Sequence, residues 1–343
     1  MSAPVATARD LAAQKDAYVA LLERYASGDA DGAARAALET DFDALRREAR
    51  EAVAGVEPAQ AMRRARLSLL LHTEAALRTA APHQQLVIAR DAVSWIRGRL
   101  GSRPHVGDRE RLTAFIRDWY LLVVSHLQST INVALLRPHV DAGLRDFGGD
   151  PELLLARGWL SESAAERAIV DRSLVREIYE LDYQGRWRQR LAIAAGDYRG
   201  ALRRNADLHE ATLRLGRVDA LRGDVDQARR AFGQVASGDA PASLKYLAHL
   251  FLGELAEGAG DLASARAAYA AALGYAPAAQ APKLTLSRLS VLAGDLPDAR
   301  RWVARALAET APGREDPWWH YRHGQAWLGN ARLHAFRQRG LRP

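Results

Sequence analysis

Three Gly-Asp dipeptides, Gly223-Asp224, Gly260-Asp261 and Gly294-Asp295, recur at intervals of 37 and then 34 residues, and this period limits the possible folds more than any other feature. Aligning the chain on them brings other positions into register. Eight residues before each Gly-Asp stands Leu215, Leu252 or Leu286, followed by a small residue, Gly216, Gly253 or Ser287. Five residues after each Gly stands Ala228, Ala265 or Ala299, and four further on a larger apolar residue, Phe232, Tyr269 or Val303. Val235, Ala272 and Ala306 close the pattern, and Pro277 stops the middle unit. Each position has a task in a helix-turn-helix unit. Glycine ends the first helix in the left-handed conformation and aspartate caps the second. The small residues let two helix axes approach where a larger side chain would not fit.

On these residues the chain resembles the tetratricopeptide repeat family, whose 34-residue unit has a Leu-Gly in its first helix, a Gly-Asp turn, and Ala, aromatic and Ala positions in its second. The resemblance spans about 209–236 and 246–277, and extends to 280–309, where Ser287 replaces the glycine and Val303 the aromatic. It implies an all-α fold, a right-handed α-solenoid of antiparallel helix pairs, with helices at 209–222, 224–236, 246–259, 261–275, 281–293 and 295–309 and no strands.

Composition agrees. Alanine supplies 68 of 343 residues, with 13 prolines and few aromatic or β-branched residues to build strands. Hydrophobic residues at 48% and charged residues at 26% leave ample material for a core and exclude disorder throughout. Arginine far exceeds lysine, present only at Lys15, Lys245 and Lys283, and with the alanine excess this matches GC-rich codon usage and points to a bacterial source. Charged residues enter every apolar window, so no membrane-spanning helix is expected. There is no cysteine, which excludes disulfides, thiolate nucleophiles and Cys-ligated zinc.

Upstream the repeat markers thin. Asp150-Pro151 followed by Glu152 to Gly158 reads as another first helix with Gly158 at the close-contact position, and Leu112 to Phe147, with Pro138 in its second helix, as the pair before it. Tyr18 to Leu38, around Gly28-Asp29, reads as a divergent unit, while 40–56, 58–80 and 84–100 are helices by apolar spacing. Breaks fall at 101–108 and 145–151. The stretch 162–205 is helical but departs from repeat length, because Gly196-Asp197 precedes Gly223 by only 27 residues. The expected organisation is 1–108 as divergent helical hairpins, 109–181 as degenerate repeats, 182–310 as tetratricopeptide-like repeats, and 311–343 as a Trp/Arg-rich C-terminal cap.

No phosphate-cradling loop, nucleophile elbow or His-Glu-x-x-His pair is present, so an enzyme is not expected and no cofactor is implied. Asp29-Ala30-Asp31-Gly32 lacks the further ligands of a calcium loop and reads as a capped turn. His320 and His323, which Glu315 or His334 would have to complete as a metal site, read as interfacial histidines beside tryptophans. Asp41 with Asp43 and Glu254 with Glu257 read as solvated helix faces.

Of the formal net charge of +7, +6 lies from Arg300 onward, beside four of the eight tryptophans. The segment Asp316 to Gly324, with Trp327, has two readings. It covers the open apolar face of the last repeat, as a solenoid requires. Alternatively Trp318, Trp319, Arg322, Trp327 and Arg332 form a surface for nucleic acid or another polyanion. The cap is the expectation, because the apolar pattern of the third unit runs to Leu307 and then needs a cover.

The family resemblance further implies a protein-interaction scaffold that binds a partner protein or peptide on a concave surface made by the first helices. Glu210, Leu213, Arg217, Leu247, Leu250, Glu254, Glu257, Leu284 and Arg288 should face that groove. Their signs alternate between units, positive at Arg217, negative at Glu254, positive at Arg288, which favours a partner of mixed charge. The Asn and Lys pattern by which some members clamp a C-terminal carboxylate is missing here. The first residues, Met1 to Ala8, lack the basic and apolar regions of a signal peptide, so a cytoplasmic location is expected as written, and a periplasmic one if a leader was trimmed. Oligomeric state is not legible.

Overall fold

In the computed structural model of the protein, residues 58–78, 83–100, 106–130, 133–174, 186–308 and 316–341 are described. The expected unit at Tyr18 to Leu38, the helix at 40–56, the Asp29 to Gly32 turn, Asp41, Asp43, most of the break at 101–108 and Glu315 lie outside them. The described elements are α-helices and one 3₁₀ turn, with no strand among them. In order they are α1 Pro58–Leu77, α2 His83–Leu100, α3 Val106–Ser129, α4 Val133–Asp146, α5 Pro151–Leu174, α6 Arg186–Arg204, α7 His209–Arg222, α8 Val225–Ser237, α9 Ala242–Gly258, α10 Leu262–Tyr275, α11 Ala281–Leu292, α12 Leu296–Ala308, α13 Pro317–Arg322 and α14 Gly329–Leu341. Among the described residues no helix is long and apolar enough to cross a membrane.

The chain divides into two compact units. One holds the described residues as far as His126 together with α14, the other Leu127–Leu328. In the first, Phe336 of α14 stacks on Phe115 of α3 with ring centroids 4.7 Å apart. Arg337 binds Glu74 at 2.5 Å, and the Trp119 indole donates to Thr73 Oγ1 at 2.9 Å.

In the second unit consecutive helices pack on one another, α5 on α6, α7 on α8, α9 on α10 and α11 on α12, and each hairpin packs on the next as a stack of antiparallel pairs. The six helices expected from 209 onward all form among the described residues. The one displaced start is α9, which begins at Ala242 directly after Pro241 rather than at 246. The turns are those the dipeptides imply: Gly223, Gly260 and Gly294 have φ of 88°, 77° and 76°. Asp261 accepts from Ser264 N at 3.0 Å and Asp295 from Asp298 N at 2.9 Å, whereas the Asp224 side chain makes no capping bond. Gly196-Asp197, in contrast, is not a turn. It lies inside α6, where Asp197 is buried and takes Arg157 in a fork of N–H donors at 2.7 and 3.1 Å, which explains the short interval to Gly223. Asp150 does cap α5, accepting from the backbone N–H of Glu152 and Leu153, each at 3.0 Å.

Close helix approach rests on matched pairs. A Cβ added at Gly216 would lie 2.8 Å from Phe232 Cε1, and one at Gly253 2.5 Å from Tyr269 Cε1; Gly158 meets the ring of Tyr198 in the same way. In the third repeat, which carries Ser287, the serine hydroxyl donates to Ala299 O at 2.9 Å, Trp302 packs against the core and Val303 is exposed. A large aromatic therefore faces glycine in the first two repeats, and the expected match at Ser287 and Val303 does not form. Gly216→Leu should force α7 from α8 and cost about 1–3 kcal/mol by overpacking. Thermal denaturation followed by circular dichroism checks it, and an unchanged midpoint would contradict the pairing.

Candidate functional site

The first helices of successive hairpins, α5, α7, α9 and α11, form one face, and residues 316–328 of the same chain lie against it. Asp316 anchors the entry. Its Oδ1 accepts from the Tyr246 hydroxyl of α9 at 2.6 Å, and its Oδ2 from the backbone N–H of Ala281 at the start of α11, at 2.8 Å. The same carboxylate caps α13, accepting from Trp318 N at 3.0 Å. Burial, followed by the adjacent Asp316 charge, pushes the Tyr246 phenol far above its ordinary value, so it stays a donor.

Trp318 and Tyr321, three residues apart, share one side of α13 and stack at 5.6 Å. Both meet Phe251 edge-on, at 5.9 and 5.3 Å. Beneath Tyr321 lies a buried polar floor. Arg214, 1% exposed, donates from Nε to Glu210 at 2.8 Å, from one terminal nitrogen to Glu162 at 3.2 Å, and from the other to Tyr321 O at 2.7 Å. Its guanidinium also stacks 4.2 Å from the Tyr321 ring centroid. The Tyr321 and Tyr198 hydroxyls each donate to Glu162, one to each carboxylate oxygen. Burial alone would lower the Arg214 pKa; the carboxylates of Glu162 and Glu210 overcome it and hold the charge firmly. Burial, then the Glu162 charge, raises both phenols well above their ordinary range. Gly324, at φ 60° against Gln128 and Trp159, ends the segment's descent, and Gln325 N donates to Gln128 Oε1 at 3.0 Å.

The residues expected in the groove are thus distributed among several environments. Leu213, Leu247 and Leu250 are buried in the core and present little or no surface. Glu210 and Leu247 lie beneath the C-terminal segment, lining a small gap with Pro317, Tyr321 and Trp327. The charged residues pair with one another: Arg217 binds Glu254 at 2.6 Å and Glu166 at 3.5 Å, and Arg288 binds Glu257. The alternation of sign between units is therefore hairpin-to-hairpin pairing, and it does not prescribe a partner of mixed charge. Leu284, Arg288 and Glu254 keep exposed surface.

The expectation of a cap over the last repeat is corrected. Leu307 is 69% and Leu296 53% exposed on α12, while Trp318 and Tyr321 sit on α9 and α7 instead. The Asp316 bond to the N-terminus of α11 turns the segment onto the first-helix face rather than over α12. Trp319 and Trp327 are half exposed. Arg332 belongs to the first unit, where it donates to Leu121 O at 3.1 Å and to Ser125, and Arg339 pairs with Asp118 at 3.1 Å. Part of the basic character of the C-terminus is spent on internal contacts. Among the described residues no three of His, Cys, Asp and Glu gather as a metal site.

Beside the segment a cavity of about 310 Å3 is lined by Trp159, Glu162, Glu166, Arg167, Trp319, Arg322 and His323 among others. Burial, then the Glu162 charge, raises the Glu166 carboxyl despite Arg217 nearby. Arg214, Glu162 and Tyr198 went unremarked in the sequence, since nothing local distinguishes a buried Arg or Glu in an arginine-rich chain, and Tyr321 stood out only as part of the Asp316 to Gly324 segment.

A family model described as tetratricopeptide repeat matches residues 256–319. The described helices stack as repeated hairpins, and this segment is similar to tetratricopeptide repeats. A search of curated proteins finds no match. Among solved structures, Pseudomonas aeruginosa PilF is similar over 64% of this chain and 88% of its own, with 12% identity and a TM-score of 0.44. A human IFIT1 dimer with m7Gppp-AAAA is similar over 78% of this chain and 68% of its own, with 11% identity and a TM-score of 0.40.

Three outcomes follow from the geometry. A carboxyl whose pKa is raised on folding contributes stability at low pH that is lost as pH rises through the folded value. Glu166→Gln should therefore raise the melting temperature at neutral pH, and the gain should vanish below about pH 4, where the carboxyl is protonated in both states. Tyr321→Phe should cost about 1–3 kcal/mol by leaving Glu162 short of a donor. Trp319→Ala should stay within about 0.5 kcal/mol. Urea titration distinguishes the pair.

Proposed function

We propose that the protein is a non-catalytic scaffold that binds a segment of a partner protein along the first-helix face of its hairpins. The observation that carries this reading is that the face accommodates a polypeptide: residues 316–328 lie on it and are held by side chains or backbone of four successive first helices, from Glu162 to Ala281. The groove is not uniformly apolar. It offers hydroxyl, guanidinium and carboxylate groups for orientation with Phe251 as the apolar contact, which suits a short peptide anchored at a few points. Leu284 lies one turn along α11 from the Asp316 anchor and keeps half its surface in solvent.

The test is a photo-crosslinking amino acid placed in the full chain at Leu284, compared with one at Val225, exposed at the start of α8. In extracts of the source cell, position 284 should trap a discrete protein and position 225 should not. Equal trapping at both positions, or none at 284, would contradict the reading.

A further inference from the structure

The segment 316–328 touches the groove in the manner of a ligand. On the first-helix face its side-chain contacts run through the Asp316 carboxylate, the Trp318 indole and the Tyr321 phenol, with Gly324 and Gln325 packed on Gln128 beyond them, while Trp319, His320 and Arg322 are exposed. Covering the end of the stack does not account for this position, since Leu296 and Leu307 of the last helix stay exposed. Nor does simple apolar burial, because the floor under Tyr321 is a buried Arg214–Glu162 pair, costly to desolvate unless its remaining valences are met. The segment meets them, with a hydroxyl donated to Glu162 and a carbonyl accepting from Arg214. A site built around one phenol discriminates strongly against occupants that lack it.

We propose that this groove binds a segment of another protein with the same chemistry, Asp-Pro-Trp-x-x-Tyr at the start of a short helix, and that the chain's own 316–328 is the occupant in cis. The proposal rests on the scaffold reading and names its ligand. The aspartate of the incoming segment takes the Tyr246 hydroxyl and the Ala281 N–H, its tryptophan lies on Phe251, and its tyrosine closes the Arg214–Glu162 floor. An intruding segment lacking the carboxylate or the phenol competes poorly with the resident one, because it would leave Tyr246 or Glu162 without the group the resident now supplies.

The probe is a fluorescent synthetic peptide of residues 316–328, titrated by anisotropy into the full chain. Because the wild type carries a tethered competitor, Trp318→Ala with Tyr321→Ala should bind the peptide about 100-fold more tightly than wild type does. A peptide with Tyr321→Phe should bind that variant about tenfold more weakly. A folded double variant that binds no better than wild type, or a phenylalanine peptide that binds as well, overturns the proposal. Should the double variant lose its helical signal, hydrogen exchange of the wild type decides: excess peptide should speed exchange of the amides of 317–322, and unchanged exchange overturns the idea. Sedimentation of the wild type should show a monomer at all concentrations. A dimer that the double substitution abolishes would assign the groove to a second copy and overturn the proposal. Trapping at Leu284 without any peptide response would sink this ligand assignment alone, leaving the scaffold reading intact.

Discussion

The second unit is organised around one buried charge, the guanidinium of Arg214. Its planar fork of donors reaches three directions at once, toward Glu210 on its own helix, Glu162 on α5, and the Tyr321 carbonyl from the C-terminal segment. Removing a single member would strand an ion away from water, which is far costlier than the net worth of the intact pair. The network therefore contributes specificity of arrangement more than stability. It requires α5, α7 and residue 321 to meet in one geometry, and Tyr198 on α6 completes the Glu162 carboxylate from the other side.

Outward from this point the hairpins are joined by a second class of contact. Arg217 with Glu254, Arg288 with Glu257, and Arg266 with Asp298 at 3.1 Å each connect one hairpin to the next. Packing positions set the distance between helices, and these pairs set the register between hairpins. Arg266 also donates to Ser290 at 2.7 Å, and the Ser290 hydroxyl, followed by Arg266 and Arg301, holds the Asp298 carboxyl down at about 2. The arrangement suits a stack in which each unit touches only its neighbours, so every unit must carry its own means of alignment.

The tryptophan-rich C-terminal segment shows how a correct physical need leads to a wrong location. A repeat stack does have an open final face, and bulky side chains would cover it. Yet Asp316 finds the N–H of Ala281 and the hydroxyl of Tyr246, and these two bonds direct the following residues onto the first-helix face. Trp318 and Tyr321 then reach Phe251, while Leu307 remains in water. The downstream helix Gly329–Leu341 belongs to the other unit, so the expected single cap at 311–343 is not one element.

Helix ends, turns and close approaches were legible because they are local. A glycine at positive φ followed by aspartate defines a turn, and a glycine facing an aromatic defines a crossing, wherever the period repeats. Gly196-Asp197 carries the same letters but sits within α6, because there Asp197 is needed by Arg157 and no helix has to end. The groove charges were legible as positions on first helices, but not as pairs, since pairing depends on the offset between hairpins. Least legible was the polar floor. Glu162, Tyr198, Arg214 and Tyr321 are separated by up to 159 residues, and an Arg or Tyr at a helix position carries no mark of its eventual burial. Sequence alone determined the repeating hairpin, because turn chemistry and side-chain volume act over a few residues; tertiary structure decided what lies in the groove, because only there do distant charges leave water together and have to satisfy one another.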